Sequence, residues 1–401
     1  MIITFWFLLA IFPPLLFFIS IIGILKDPKQ WRFFCTGYVI CIAMIAYSWE
    51  PKSTPDITRY FTMLKNCSTM SLSEVNEYFG DGLFVKNFIF WIIGHLNDVH
   101  LLPAISTGTV YGISTYITCS YCEKQKKINY IPIILLIQFL ALPFFSITSN
   151  IRNVWCFSLI ILAAHRELCE NKRNLATILL YILPCFIHSA GWILIGLRLL
   201  VGVSKKVKII VFIVAFGITQ IINWLYKYIA YISDLEIRKM INIAHMYINE
   251  TDSTYAISVA NNLGEIVSRA LAMFFSVLIV GYIFFYEKNT GKESKKFVLI
   301  FLIAASVIGF NAFTVPHYWR LFVALIIGIS PIMVEFLDGI YKKLKLCRII
   351  FSMLLLIACI KWVVQIKTTI GLVSYSQLIS DSILNNVYIF ILSVVKGIIA
   401  W

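Results

Sequence analysis

Charged side chains are scarce in this sequence, and acidic ones scarcer still. Asp, Glu, Lys and Arg make up 13% of the 401 residues, with 20 acids against 34 bases and only 6 histidines. A soluble domain draws about a quarter of its residues from those four charged types, so the shortage excludes a soluble globular chain. Also missing are an internal repeat, a low-complexity run and any stretch with the make-up of a soluble domain. Apolar residues fill the space: 60% of the chain is hydrophobic and 15% aromatic, with a mean hydropathy of +0.85. That is the composition of a polytopic membrane protein. The net charge of +14 does not point to nucleic acid, because most of the bases fall in short loop clusters rather than along one face.

Six clusters carry them: Lys26/Lys29/Arg32, Lys124/Lys126/Lys127, Arg166/Lys172/Arg173, Lys205/Lys206/Lys208, Lys288/Lys292/Lys295/Lys296 and Lys342/Lys343/Lys345/Arg348. Short loops rich in Lys and Arg stay cytoplasmic, where they also meet anionic lipid headgroups. With the six loops inside, apolar runs fall at 2–25, 33–48, 100–120, 131–147, 151–165, 174–187, 190–203, 208–226, 263–286, 297–314, 320–340 and 349–365. The expected fold is therefore all-α, a single membrane domain over 1–401 with about 12 transmembrane helices (11–13). No base precedes the first run, so it does not read as a signal peptide, and its basic flank lies after it, so the N-terminus is expected outside. Residues 83–97 are apolar too, but a crossing there would carry Lys124, Lys126 and Lys127 outside, so a re-entrant or interfacial helix is expected. The short runs 174–187 and 190–203 suggest tilted or dipping segments around a break at Pro184 to Gly191. Residues 388–401 form either a thirteenth span or a helix lying on the membrane. Two large outward loops are expected, about 49–82 and 227–262, the second with an amphipathic helix around Ile229 to Ile248.

This topology gathers Asp56, Arg59, Arg152, His188, Arg269, His317 and Arg320 on the outer face. Outward arginines run against the positive-inside trend and are costly at membrane depth unless paired or hydrated. Arginine holds phosphate with a bidentate grip that needs no deprotonation, so the cluster suits an anionic headgroup such as a lipid diphosphate. Plainer readings stand beside this one. Arg269 could snorkel to headgroups, His188 could be an interfacial histidine bonded to a carbonyl, and His317 belongs with Tyr318 and Trp319 in an aromatic belt. Asp56 and Arg59 could be a helix cap with a spaced ion pair. Metal is not expected: Asp234-Leu235-Glu236 and Glu250-Thr251-Asp252 lie among bases with no histidine at ligand spacing. Of the ten cysteines only Cys67 lies clearly in an outward loop, and the Cys119/Cys122 pair lacks the further ligands a zinc site needs.

Three of these patches together carry a resemblance. Pro51-x-x-x-Pro55-Asp56-x-x-Arg59-Tyr60 follows the second span, Ile151-Arg152-Asn153 opens a short one, and Phe186-Ile187-His188-Ser189-Ala190 follows, with Arg320 at the head of a later span. Over Pro51 to Tyr60, Ser149 to Leu168, Leu183 to Leu194 and Tyr318 to Pro331 the chain resembles the Wzy-type bacterial polysaccharide polymerases, in particular their EpsG-like branch. The resemblance implies a GT-C-like, metal-independent and cofactor-free glycosyltransferase in the bacterial inner membrane. Such an enzyme joins undecaprenyl-diphosphate-linked oligosaccharide units into O-antigen, capsule or exopolysaccharide at the periplasmic face. A chain-length-determining co-polymerase is the implied partner. Under that chemistry Arg152 and Arg320, then Arg59, would neutralise the leaving diphosphate, with Arg269 a further contact. His188, or else Asp56, would take the acceptor proton, and Tyr60, Tyr318 and Trp319 would stack on sugar rings. A flippase for lipid-linked oligosaccharide and an O-antigen ligase are the alternatives. The lack of repeated halves and of midplane ionisable groups weighs against a transporter.

Overall fold

The computed structural model describes residues 22–23, 27–47, 55–142, 144–202, 210, 220–235, 237–238, 241–242, 245, 263–290, 294–312, 318–339, 348–349, 351–353 and 355–361. The expected first span, most of 208–226, the stretch 388–401, His317, Glu236, Glu250 and Asp252 lie largely or wholly outside them. Every regular element among the described residues is helical, as a helical membrane protein requires. The chain divides into two compact units, Met1–Ile195 with Trp362–Trp401, and Gly196–Lys361.

In the first unit, α1 (Trp31–Tyr47) precedes two helices in the expected outer loop, α2 (Pro55–Cys67) and α3 (Leu72–Phe79). Then come α4 (Phe84–His95), α5 (Leu101–Lys124), α6 (Ile131–Ala141), α7 (Phe144–Ser149), α8 (Ile151–Leu168), α9 (Leu175–Ile182) and a 3-10 turn (Leu183–Phe186), and α10 (Gly191–Leu200) runs across the boundary between the units. At 24 residues α5 is the long central helix, roughly 36 Å at the α-helical rise and enough to cross the apolar core. It packs along α1 through small residues. A Cβ on Gly108 would lie 3.0 Å from Ala43 Cβ, and one on Gly112 would lie 3.4 Å from Val39. This spacing of small residues lets two backbones approach closely in lipid. α8 packs against α5 as well. Polar contacts tie the ends that carry the basic clusters: Arg32 to Glu123 at 3.0 Å, Tyr116 Oη donating to Glu170 at 2.9 Å, and Lys172 to Glu170 at 2.9 Å. The opposite ends of α5 and α8 therefore share a side, and α2, α3 and α4 gather there.

The expected span 131–147 is broken. α6 stops at Ala141, Leu142 turns extended with ψ of 115°, and α7 begins at Phe144. Pro143 explains the break, since its ring disfavours a helical residue before it and offers no N–H to continue the ladder.

In the second unit, α11 (Leu263–Thr290), α12 (Lys295–Ala312) and α13 (Tyr318–Ile327) pack on one another, and α14 (Ser330–Asp338) leaves α13 at a 61° bend. Pro331 in the first turn of α14 cannot donate back to α13. Within α11, Ile266–Glu287 is long and apolar enough to cross a bilayer alone, and α13 with α14 qualifies as one bent span. α1, α9 with its 3-10 turn, and α10 are shorter apolar helices.

Candidate functional site

α2 opens on Pro55, whose missing N–H costs nothing at a first turn. Ile57, Tyr60, Leu64 and Cys67 recur at helical spacing and are buried against Phe90 and Ile93 of α4, Leu101 and Leu102 of α5, and Ile151 of α8. This face sets the Tyr60 ring edge-on to Phe90 at 5.9 Å. Arg152, the second residue of α8, donates its Nε to Tyr60 Oη at 3.1 Å, with Cζ 5.3 Å from the ring centroid. Arg59 lies against the same ring, its Cζ at 5.6 Å, and pairs with Asp56 one turn back at 3.1 Å. Asp56 and Arg59 are well exposed, so their pair contributes little stability.

One feature makes Arg152 suited to an anion. Among the described residues only Nε of the guanidinium is engaged, which leaves the paired Nη edge suited to a bidentate acceptor. Close by in the sequence, Ser149 and Asn153 are buried at 4% and 6% exposure, and among the described residues Ser149 Oγ and Asn153 Oδ1 have no hydrogen-bond partner. Buried polar atoms without partners are rare enough to call for an explanation.

α4 adds a charge that the sequence reading passes over. Lys86 is 1% exposed, lies 3.8 Å over the Phe79 ring and donates to Asp81. Asp81 sits between Gly80 and Gly82, whose φ values of 57° and 67° are left-handed. Its other oxygen accepts from Leu83 N–H at 3.1 Å as the chain enters α4. Burial pushes the Lys86 ammonium below the ordinary lysine range, Asp81 opposes the shift, and the nearby Arg152 adds to it. The signal was available in the sequence: a lone lysine inside the apolar stretch 83–97.

His188 follows the 3-10 turn that Pro184 opens. Its Nδ1 accepts the Ala190 N–H at 3.1 Å, so the neutral ring carries its proton on Nε2. The His188 carbonyl accepts from Cys156 Sγ at 3.5 Å, one turn along α8 from Arg152. Gly191 permits this approach, because a Cβ there would stand 2.6 Å from Cys156 Sγ. Phe186 in turn packs on Phe84 at 4.4 Å, at the start of α4. Tyr60, Lys86, Arg152 and the His188 segment thus belong to one neighbourhood of the first unit. Beside it, Leu64, Lys65, Asn97, Asp98 and His100 help line a cavity of about 180 Å³. The buried Asp98 there accepts from Tyr47 Oη at 2.7 Å.

Arg269, Tyr318 and Arg320 belong to the second unit. Arg269 is clasped by Asn311: its Nε donates to Oδ1 and its Nη2 to the carbonyl, both at 3.3 Å, while Asn311 Nδ2 returns a bond to the Arg269 carbonyl at 2.7 Å. A helix-to-helix tie between α11 and α12 is therefore a defined task for Arg269. Tyr318 is buried at 1% exposure with Arg269 Cζ 6.0 Å from its ring, and Arg320 Cζ lies 5.9 Å from the Trp319 ring. No group of three His, Cys, Asp or Glu side chains is placed to hold a metal among the described residues.

Compared with known families, residues 31–377 match the model of the EpsG family, a range that includes every candidate residue above. No curated protein and no solved structure matches the chain.

Proposed function

The chain belongs to the EpsG family, and from that premise we propose that it polymerises lipid-linked oligosaccharide units into an extracellular polysaccharide or O-antigen. Arg152 carries the reading, because its guanidinium is seated on Tyr60 with its Nη edge left for an acceptor. The proposed substrate is an undecaprenyl-diphosphate-linked oligosaccharide at the periplasmic face of the inner membrane, within a fold of about 12 spans. A chain-length-determining co-polymerase is the proposed partner.

In the proposed reaction an acceptor sugar hydroxyl attacks the anomeric carbon of the donor chain. The new C–O bond forms as the bond to the lipid diphosphate breaks, and the diphosphate leaves with the electron pair. Arg152, with Arg59 nearby, stabilises the charge that develops on it. The acceptor proton passes to His188 or Asp56. His188 Nδ1 would have to give up its bond from Ala190 N–H, whereas Asp56 pairs with Arg59 through Oδ1 and keeps Oδ2 for the proton. Tyr60 anchors Arg152 from beneath, and in the second unit Arg320, Tyr318 and Arg269 are proposed separately as substrate contacts. No metal or cofactor enters this scheme. The bent pair α13 and α14 favours a second reading, since interrupted helices are common in transporters of the flippase kind.

Polysaccharide length in a strain lacking the gene separates these readings. Wild type should restore a ladder, whereas Arg152→Ala should leave single capped units. Loss of the ladder with Asp56→Asn but not His188→Ala would make Asp56 the base. A full ladder in the deletion strain would end the polymerase reading, and repeat units trapped on the inner leaflet would indicate the transporter.

A further inference from the structure

Asp56 and Arg59 offset each other at the surface. Lys86 and Arg152 are neighbouring cations, and Lys86 pairs with Asp81. Burial within the ion pair is lopsided. The Lys86 side chain is 1% exposed and Asp81 is 32% exposed, so the carboxylate is the partner that can turn to water while the ammonium stays. Asp81 also stands on a turn of two left-handed glycines, a conformation that side-chain-bearing residues rarely adopt. An ammonium has three donors, and Asp81 is the hydrogen-bond acceptor that Lys86 has among the described residues.

Resting on the donor reading above, we propose that Lys86 is a second binding cation for the substrate diphosphate, held by Asp81 until phosphate oxygens displace that carboxylate. Asp81 then acts as a stand-in anion: it keeps a buried lysine charged and positioned in the empty site and yields when the substrate arrives. Two cations from different helices, Arg152 on α8 and Lys86 on α4, would grip the two phosphoryl groups. The exchange is one ionic partner for another, with no bond made or broken.

The test is equilibrium binding of farnesyl diphosphate to the purified full-length protein in detergent, comparing wild type with Lys86→Met, Lys86→Arg and Asp81→Asn. Lys86→Met should weaken binding by about tenfold or more, the scale of one charge-assisted hydrogen bond. Lys86→Arg should stay within a few-fold of wild type. Asp81→Asn, whose amide oxygen can still accept from Leu83 N–H, should bind as tightly as wild type or more so. Wild-type affinity in Lys86→Met would overturn the proposal and leave the donor reading standing. Weaker binding in Asp81→Asn would overturn it too, by making the pair a structural staple, and this arm decides if Lys86→Met does not fold. Absence of binding by the wild type would remove the donor reading and this proposal together.

Discussion

At the scale of single residues, the geometry of Arg152 depends on shape as much as charge. Its Nε is committed to Tyr60 Oη, and a lysine in its place offers neither a planar fork nor a donor at that position. Arg152→Lys should therefore lose most ladder formation, close to the loss in Arg152→Ala. Tyr60→Phe keeps the ring and removes one hydrogen bond worth about 1 kcal/mol, so it should lower polymerisation several-fold without abolishing it. Both outcomes are read from ladder length at matched protein level, and a fully active Arg152→Lys would mean that only its charge matters. Residue identity also marks the limit of what the sequence discloses. Arg152 stands out because an outward arginine opens a short span. Lys86 is hidden by fourteen less polar companions only if average hydropathy is read, whereas the cost of one buried ammonium points straight to it. The Arg269–Asn311 clasp joins positions 42 apart in the chain, a separation that no local pattern encodes.

At the scale of elements, close packing and capping decide where side chains arrive. Gly191→Ala should disturb the His188 segment, because the new Cβ would stand 2.6 Å from Cys156 Sγ and 3.0 Å from Cys185 Sγ. We expect loss of ladder formation with modest change in melting temperature, partly restored by Cys156→Ala in the double variant. Additivity of the two changes would show that the contact does not set the His188 segment. Farther out, α3 is held by a capping box: Glu74 N–H donates to Ser71 Oγ, and Ser71 N–H donates to the Glu74 carboxylate at 2.7 Å. The Ser71 backbone N–H holds the Glu74 carboxyl below its ordinary range. A depressed carboxyl stabilises the fold above its unfolded pKa and loses that contribution as pH falls through the folded value. Protease sensitivity around 71–79 should rise on acidification below the ordinary glutamate range, and Glu74→Gln should flatten that dependence. The Ser-x-x-Glu pattern of this box is legible in the sequence, although polarity alone makes 49–82 read as loop. Pro143 is equally legible as a helix breaker, yet an apolarity count runs 131–147 straight through it. The junction between α13 and α14 has the same origin in Pro331.

At the scale of the whole molecule, the apolar runs between basic loops anticipate an all-helical chain and the places where several helices begin. The starts of α5, α8 and α12 fall within a few residues of the expected spans. Topology can be checked with single-cysteine reporters in an otherwise cysteine-free chain. An impermeant thiol reagent added to intact cells should label a cysteine at Asn97 and spare one at Gln125. The reverse pattern would invert the orientation and remove the proposed periplasmic site. What composition could not show is how distant segments meet, and the bond between Arg152 and Tyr60 is the clearest case, its ends 92 positions apart. During synthesis at about 5–20 residues per second, that gap corresponds to roughly 5–20 s. The tyrosine must wait while α3 to α7 are synthesised. Ribosome and translocon, rather than the finished fold alone, thus set when the guanidinium receives its seat, and any nascent chain halted before α8 is a scaffold with its lock already cut and no key.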